Sequence, residues 1–148
     1  MSLSMGKLSN EEGERMTRET IRDDDGRPWS KWKPTERFAY LWARDGFKGG
    51  EPETEFQFDP VRKWRWDYCW PEFKVAVEVD GFGYGHGAAN RIADNNEKRN
   101  AAIEQGWLIL VFDSKLLGSM QGVADAVEQV QRVLMTSAEG RKAPRIPR

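Results

Sequence analysis

The stretch Val75-Ala76-Val77-Glu78-Val79-Asp80-Gly81 constrains this chain more than any other. A β-strand turns residues i and i+2 to the same face. Val75, Val77 and Val79 therefore share one face and read as core. Glu78 and Asp80 share the opposite face, side by side on an otherwise apolar strand. Taken alone, two such acids fit the solvated side of an antiparallel sheet. The neighbouring elements decide whether that reading is sufficient.

Two strand candidates precede this one. Residues 54–58 (TEFQF) place Phe56 and Phe58 around Gln57. Residues 63–68 (KWRWDY) alternate, with Trp64, Trp66 and Tyr68 on one face and Lys63, Arg65 and Asp67 on the other. Asp59-Pro60 and Trp70-Pro71-Glu72 supply turns between them. Short links predict an antiparallel meander, in which Asp67 meets Glu78 across adjacent strands. Upstream, a helix is expected from Pro34-Thr35, with Thr35 as N-cap and Glu36 in the first turn. Phe38, Leu41 and Trp42 form its apolar stripe. Gly46 or the pair Gly49-Gly50 ends it.

Downstream, residues 81–90 (GFGYGHGAAN) form a glycine-rich loop, read as a flap over a bulky substrate. A helix is expected over 88–105, closed by Gly106 at C′. Ile92, Arg99, Ile103 and the alanines mark its weakly apolar face, and Arg91, Asp94, Asn95 and Lys98 its polar one. Residues 107–113 (WLILVFD) are a continuous apolar run, hence a fully buried strand. A last helix over 119–135 turns Val123, Val127, Val130 and Leu134 inward. The order α-β-β-β-α-β-α predicts an α/β fold. Residues 34–136 form the domain, 1–33 a polar arm that is mobile or loosely docked, and 137–148 a basic tail.

Composition narrows the function classes. The 148 residues suit one core. The single cysteine, Cys69, rules out a disulfide within the chain and makes a reducing, cytoplasmic setting the expectation. One cysteine and one histidine, His86, rule out a Cys/His zinc site within one chain. There is no run of 18 apolar residues and no apolar leader, so neither a membrane span nor secretion is expected. The net charge is −1, so a nucleic-acid partner must rest on a local basic patch. Arg62, Lys63 and Arg65, interleaved with Trp64 and Trp66, supply one, and Arg62 and Arg65 are candidates for phosphate contact.

Several carboxylates close together in an apolar setting repel and need a partner. Glu36, Asp67, Glu78 and Asp80 are the acids on structured elements. Glu78 and Asp80 have Cα atoms roughly 6.6 Å apart, two strand rises of ~3.3 Å. Carboxylates so spaced converge on one Mg²⁺, which prefers oxygen ligands and keeps several waters. Asp67 completes the set. Such a centre suits hydrolysis of a phosphodiester. A nearby cation neutralises charge in the transition state, with Lys98 the leading candidate and Lys74 the other. His86 and Arg91, at the loop and on the following helix, join Arg62 and Arg65 as candidate nucleic-acid contacts.

These residues carry a resemblance. Glu36, Arg65-Trp66-Asp67 and Glu78-Val79-Asp80-Gly81, on an αβββαβ frame, resemble the PD-(D/E)xK nuclease superfamily. Within it the chain is similar to small phage and bacterial endonucleases related to very-short-patch-repair-like nucleases and to archaeal-type Holliday junction resolvases. The likeness spans about residues 34–115. It implies a restriction-endonuclease-like fold and a Mg²⁺-dependent DNA endonuclease, with Mn²⁺ able to substitute. It implies DNA, branched DNA included, as substrate, a homodimer, and a bacterial or phage-infected cell as setting. Asp67 and Glu78 match the acidic metal-binding pair, and Glu36 the first-helix glutamate. Asp80 stands where the family keeps a lysine, so Lys98 is the expected replacement.

Two other readings fit parts of the chain. A non-catalytic nucleic-acid-binding module on the same fold would account for the missing lysine. Gly83-Tyr84-Gly85-His86-Gly87-Ala88 also fits the dinucleotide-binding pattern G-x-G-x-x-A between a strand and a helix. Against that pattern, Glu78 and Asp80 would repel a pyrophosphate.

Overall fold

The structure, a computed structural model, describes residues 21–45, 49–81 and 88–142. Alternation along the VAVEVDG strand does what period two requires. Val75 and Val77 enter one hydrophobic cluster and Ala76 enters another on the opposite side. The strand is thus central, with helices over both faces. The elements are α1 (Pro34–Asp45), β1 (Glu53–Gln57), β2 (Arg65–Trp70), β3 (Val75–Asp80), α2 (Ala88–Glu104), β4 (Leu108–Asp113) and α3 (Met120–Lys142). The order matches the expected α-β-β-β-α-β-α. The sheet runs β1-β2-β3-β4, antiparallel through β3 and parallel between β3 and β4. It is a four-stranded mixed sheet flanked by helices.

The larger cluster joins Phe38, Leu41 and Trp42 of α1 to Val123, Val127, Val130 and Leu134 of α3 across one face of the sheet. Both stripes were legible as helical periodicity. The arm is a correction. Ile21, Trp29 and Trp32 are buried in this same cluster, so the packed part of the molecule begins by residue 21 rather than 34. A bridge between Arg22 and Pro28 closes a short hairpin, and Arg37 clamps it by donating to the carbonyls of Trp29, Ser30 and Leu117. Three large apolar side chains buried together outweigh the polar composition around them.

The start of α1 also differs from expectation. Arg37 N–H donates to the Lys33 carbonyl, the first intrahelical bond, so Lys33 rather than Thr35 is the N-cap. Pro34 then sits at N1, where its missing N–H costs nothing. Glu36 sits at N3 and accepts from the Lys33 N–H at 2.7 Å, one half of a capping box.

The strand WLILVFD was expected to be fully buried. Instead β4 lies at the sheet edge, with only Phe112 buried within it and Trp107 just before it. An edge position leaves an apolar strand half covered, which hydrophobicity alone does not reveal. In α2 the inward residues are Lys98 and Ala102, while Ile92 and Ile103 are exposed. Of the face expected to be apolar, Ala102 turns inward and the isoleucines turn outward, and the helix seats a lysine against the sheet. Its end is as expected: Gly106 has φ +89°, Trp107 N–H donates to Ala102 O and Gly106 N–H to Ile103 O. This is a Schellman closure.

Candidate active site

The site begins with an irregularity in β2. The predicted alternation put Trp66 and Tyr68 on one face. In the structure Trp66 packs on the α2 side with Ala102 and Trp107, and Tyr68 on the α1–α3 side with Phe38. The strand loses one step of alternation at Asp67. The cause lies opposite. Thr54 pairs with Tyr68 and Phe56 with Trp66, but the intervening Glu55 and Asp67 do not pair, and Glu55 has φ +50°. A left-handed non-glycine residue in a strand is a local break. The register is the same on both sides of it, so no residue is inserted.

The break frees Asp67 from the alternation and turns its carboxylate toward β3. Its Oδ2 accepts the Val79 N–H at 2.8 Å, taking the place of a backbone ladder partner. Paired register between β2 and β3 runs from Trp70↔Val75 to Tyr68↔Val77. One step further along the same register, Asp67 faces Glu78.

Glu78 points to the α2 side, where Lys98 meets it. Lys98 Nζ lies 3.0 Å from Glu78 Oε1, and the two side chains are 8% and 12% exposed. The same ammonium donates to the Arg65 carbonyl and sits 4.6 Å from the centroid of the Trp66 ring. Lys98 is thus held by a carboxylate, a carbonyl and an aromatic face. The cation–π contact follows from the displaced Trp66, so the break at Asp67 builds both halves of the site. Pairing of Lys98 with Asp94 along the helix does not occur; Asp94 accepts from Trp64 Nε1 instead. The contact between Lys98 and Glu78 has ion-pair distance without hydrogen-bond alignment, and Glu78 Oε1 makes no hydrogen bond among the described residues.

Asp80 projects on the same side as Glu78, two residues along, and is exposed. Its register partner on β4 is Asp113, whose Oδ1 accepts the Leu116 N–H at 2.7 Å. Among the described residues no group of three or more His, Cys, Asp or Glu is close enough to hold a metal ion. The expected convergence of Asp67, Glu78 and Asp80 is therefore not formed; the structure pairs Glu78 with Lys98 and ties the Asp67 carboxylate to the Val79 N–H next to Glu78.

Glu36 is occupied elsewhere. Arg27 forks onto both of its oxygens, at 3.2 and 2.6 Å, beside the Lys33 N–H. The Arg27 guanidinium, followed by that N–H, holds the Glu36 carboxyl below its usual range. Glu36 is a helix-start acid rather than a member of the Lys98 cluster. Lys74, the second candidate cation, donates to Gln105 O at 2.7 Å and so ties the β3 start to the α2 end.

Of the candidate phosphate contacts, Arg62 is exposed, stacks on Trp64 at 4.3 Å and pairs with Glu97 at 3.1 Å. Arg65 is exposed and donates to Glu55 O at 3.1 Å. Arg91 lies exposed on the first turns of α2, seven residues before Lys98 and hence on nearly the same side of the helix. His86, with Gly83–Gly87 of the glycine pattern, lies outside the described residues. The sequence reading missed Trp66 as the seat of Lys98, and Asp113 beside Asp80. The break that moves Trp66 leaves no mark in the alternation of KWRWDY. Asp113 was visible as the acid that ends an apolar strand.

Compared with family models, with curated proteins and with solved structures, the chain finds no match.

Proposed function

We propose that this chain is a Mg²⁺-dependent DNA endonuclease with a restriction-endonuclease-like core, and that its centre is Asp67, Glu78 and Lys98. One observation carries the reading: a buried lysine on α2 meets Glu78 next to Asp67, where β2 breaks its alternation. A lysine carried by the following helix supplies the charge that the family keeps two residues past the glutamate, where Asp80 stands here. The element order and the parallel β3–β4 pair support the same frame.

The donor set fits Mg²⁺. That ion is commonly held by one or two carboxylates, with waters and substrate oxygens filling the rest. Asp67 and Glu78 would hold it; Glu78 Oε1 faces the Lys98 ammonium at 3.0 Å without making a hydrogen bond among the described residues, so the chemistry of the two carboxylates is what supports the fit. When bound, the ion supplies Lewis acidity toward a phosphodiester; Mn²⁺ is expected to substitute. Lys98 offsets negative charge at the centre and is held rigidly enough to act without reorganisation. Arg62 and Arg65 orient the phosphate backbone, since Arg65 carries the carbonyl that holds Lys98 and Arg62 pairs with Glu97, its neighbour on α2. A reducing cytoplasm, bacterial or phage-infected, fits Cys69, a buried free thiol whose pKa burial pushes up to about 12.

Branched DNA is the first substrate to try, with a homodimer to match a two-fold junction. Labelled four-way junction and linear duplex are incubated with the chain across a metal series and with EDTA. Cleavage that requires metal and is abolished by Asp67→Asn is the expected result. The second reading, a non-catalytic DNA-binding module, is favoured by one observation: the Lys98 ammonium is already satisfied within the fold. That reading predicts salt-sensitive binding without metal, unchanged in Asp67→Asn, and no cleavage of any DNA.

A further inference from the structure

The two edges of the sheet are built differently. The β1 edge carries Glu53 and Glu55, both exposed, and the left-handed kink at Glu55. Charge and local distortion are the ordinary protections of an edge strand against pairing with another chain. The β4 edge lacks the kink, and its one charge is Asp113 at the very end. Leu108-Ile109-Leu110-Val111-Phe112 is free of charge, proline and kink.

Its backbone is set up for pairing. Leu108 N–H donates to Lys74 O at 2.8 Å and Ser114 N–H to Asp80 O at 3.0 Å, so even-numbered residues bond toward β3. Alternation then aims the N–H and C=O groups of Ile109 and Val111 away from the sheet. Among the described residues nothing pairs with that side. Apolar surface flanks the edge: Leu108 is 50% exposed, Val111 41%, and Ile103 at the end of α2 63%.

We infer that β4 is an interface, and that its occupant is a second copy of this chain paired antiparallel, edge to edge. The chain's own remaining segments are poor occupants. Residues 143–148 include Pro144 and Pro147, which have no N–H to donate. Residues 1–20 are crowded with Glu11, Glu12, Glu14, Arg15, Arg18 and Glu19. Residues 46–48 and 82–87 are short ties between described elements. A second β4 is complementary by composition. With Ile109 opposite Val111 of the copy, each strand satisfies the outward groups of the other. Asp113 then falls beyond the partner's strand, so no like charges meet. A two-fold axis through the edge keeps the same face outward in both halves. It yields one eight-stranded sheet with both Lys98 clusters on one side. The inference stands whether or not the centre cleaves DNA.

The test combines sedimentation velocity of the full chain with amide exchange. At micromolar concentrations the expected species has twice the chain mass, and the Ile109 and Val111 amides exchange slowly. On dilution both amides become fast as the mass halves. Leu108→Lys and, separately, Val111→Lys place a charge on exposed positions and are expected to give folded monomers, as judged by circular dichroism. A chain that stays monomeric at 100-fold higher concentration overturns the inference. So does a dimer whose Ile109 and Val111 amides remain fast, or one untouched by both lysines while the variants stay folded.

Discussion

At the scale of single residues, the molecule turns on Lys98. A lysine this buried is stable only if its charge is met, and three groups meet it: Glu78, the Arg65 carbonyl and the Trp66 ring. Removing one member of a buried ion pair typically costs about 3–5 kcal/mol, because the other charge is left without compensation. Lys98→Met is expected to lose stability on that scale in urea unfolding. Lys98→Met with Glu78→Met should recover part of the loss, since both charges are then gone. If the two changes add within about 0.5 kcal/mol, the residues are not coupled and the pairing is wrong. Much of this cluster was legible beforehand. Glu78 followed from strand parity, Asp67 from the meander, and Lys98 from its place on the helix after the loop. That Lys98 is buried was not legible. Its helix shows its isoleucines to water and buries Ala102 with Lys98, so amphipathic reasoning finds only part of the inward face. Glu36 was legible as a first-turn acid, but its partner was not, because Arg27 lies in an arm expected to be loose.

At the scale of elements, two termini can be tested. Arg27 and the Lys33 N–H favour the charged form of Glu36, so its folded-state pKa lies below the unfolded one. The stability it contributes is therefore complete above the unfolded value, about 4.3, and is lost as pH falls through the lower folded value. The melting-temperature gap between the parent and Glu36→Gln should be flat at neutral pH and close as pH drops below about 4. A gap that persists unchanged to strongly acid pH would show that Glu36 acts through shape and not charge. At the other terminus, Gly106 holds φ +89° with open space around the missing Cβ, Lys74 Cδ at 3.8 Å being the sole neighbour. Gly106→Ala is then a test of backbone strain alone, and about 1–2 kcal/mol of destabilisation is expected in denaturant titration. No loss of stability would mean that α2 can end without a left-handed residue. This glycine was readable in the sequence as a helix stop. The break in β2 was not, because it depends on Glu55 across the sheet, and a strand's own pattern says nothing of its neighbour's backbone.

At the scale of the whole molecule, charge and apolar surface are segregated. Glu51, Glu53 and Glu55 are exposed along the β1 side, and Arg62, Lys63 and Arg65 are exposed just before and at the start of β2. Under the proposed function, the first set would repel a phosphate backbone and the second would attract it, so DNA would be expected to approach at the start of β2. No helix among the described residues is long and apolar enough to cross a membrane. The order of elements was legible from period and punctuation. The edge position of β4 was not, because a run such as LILVF fits a covered strand and an uncovered one equally well. The most direct measurement of the central claim is the cleavage rate of labelled four-way junction in Mg²⁺ by the parent and by Glu78→Gln. Glutamine keeps the size of the side chain and removes one carboxylate from the centre; because it also takes the counter-charge from Lys98, rates are compared at a temperature where circular dichroism shows the variant folded. The account predicts Mg²⁺-dependent strand cleavage by the parent and a loss of about 10²-fold or more in the folded variant. Equal rates in the two proteins, or no cleavage of junction or duplex by the parent with any divalent metal, would contradict it.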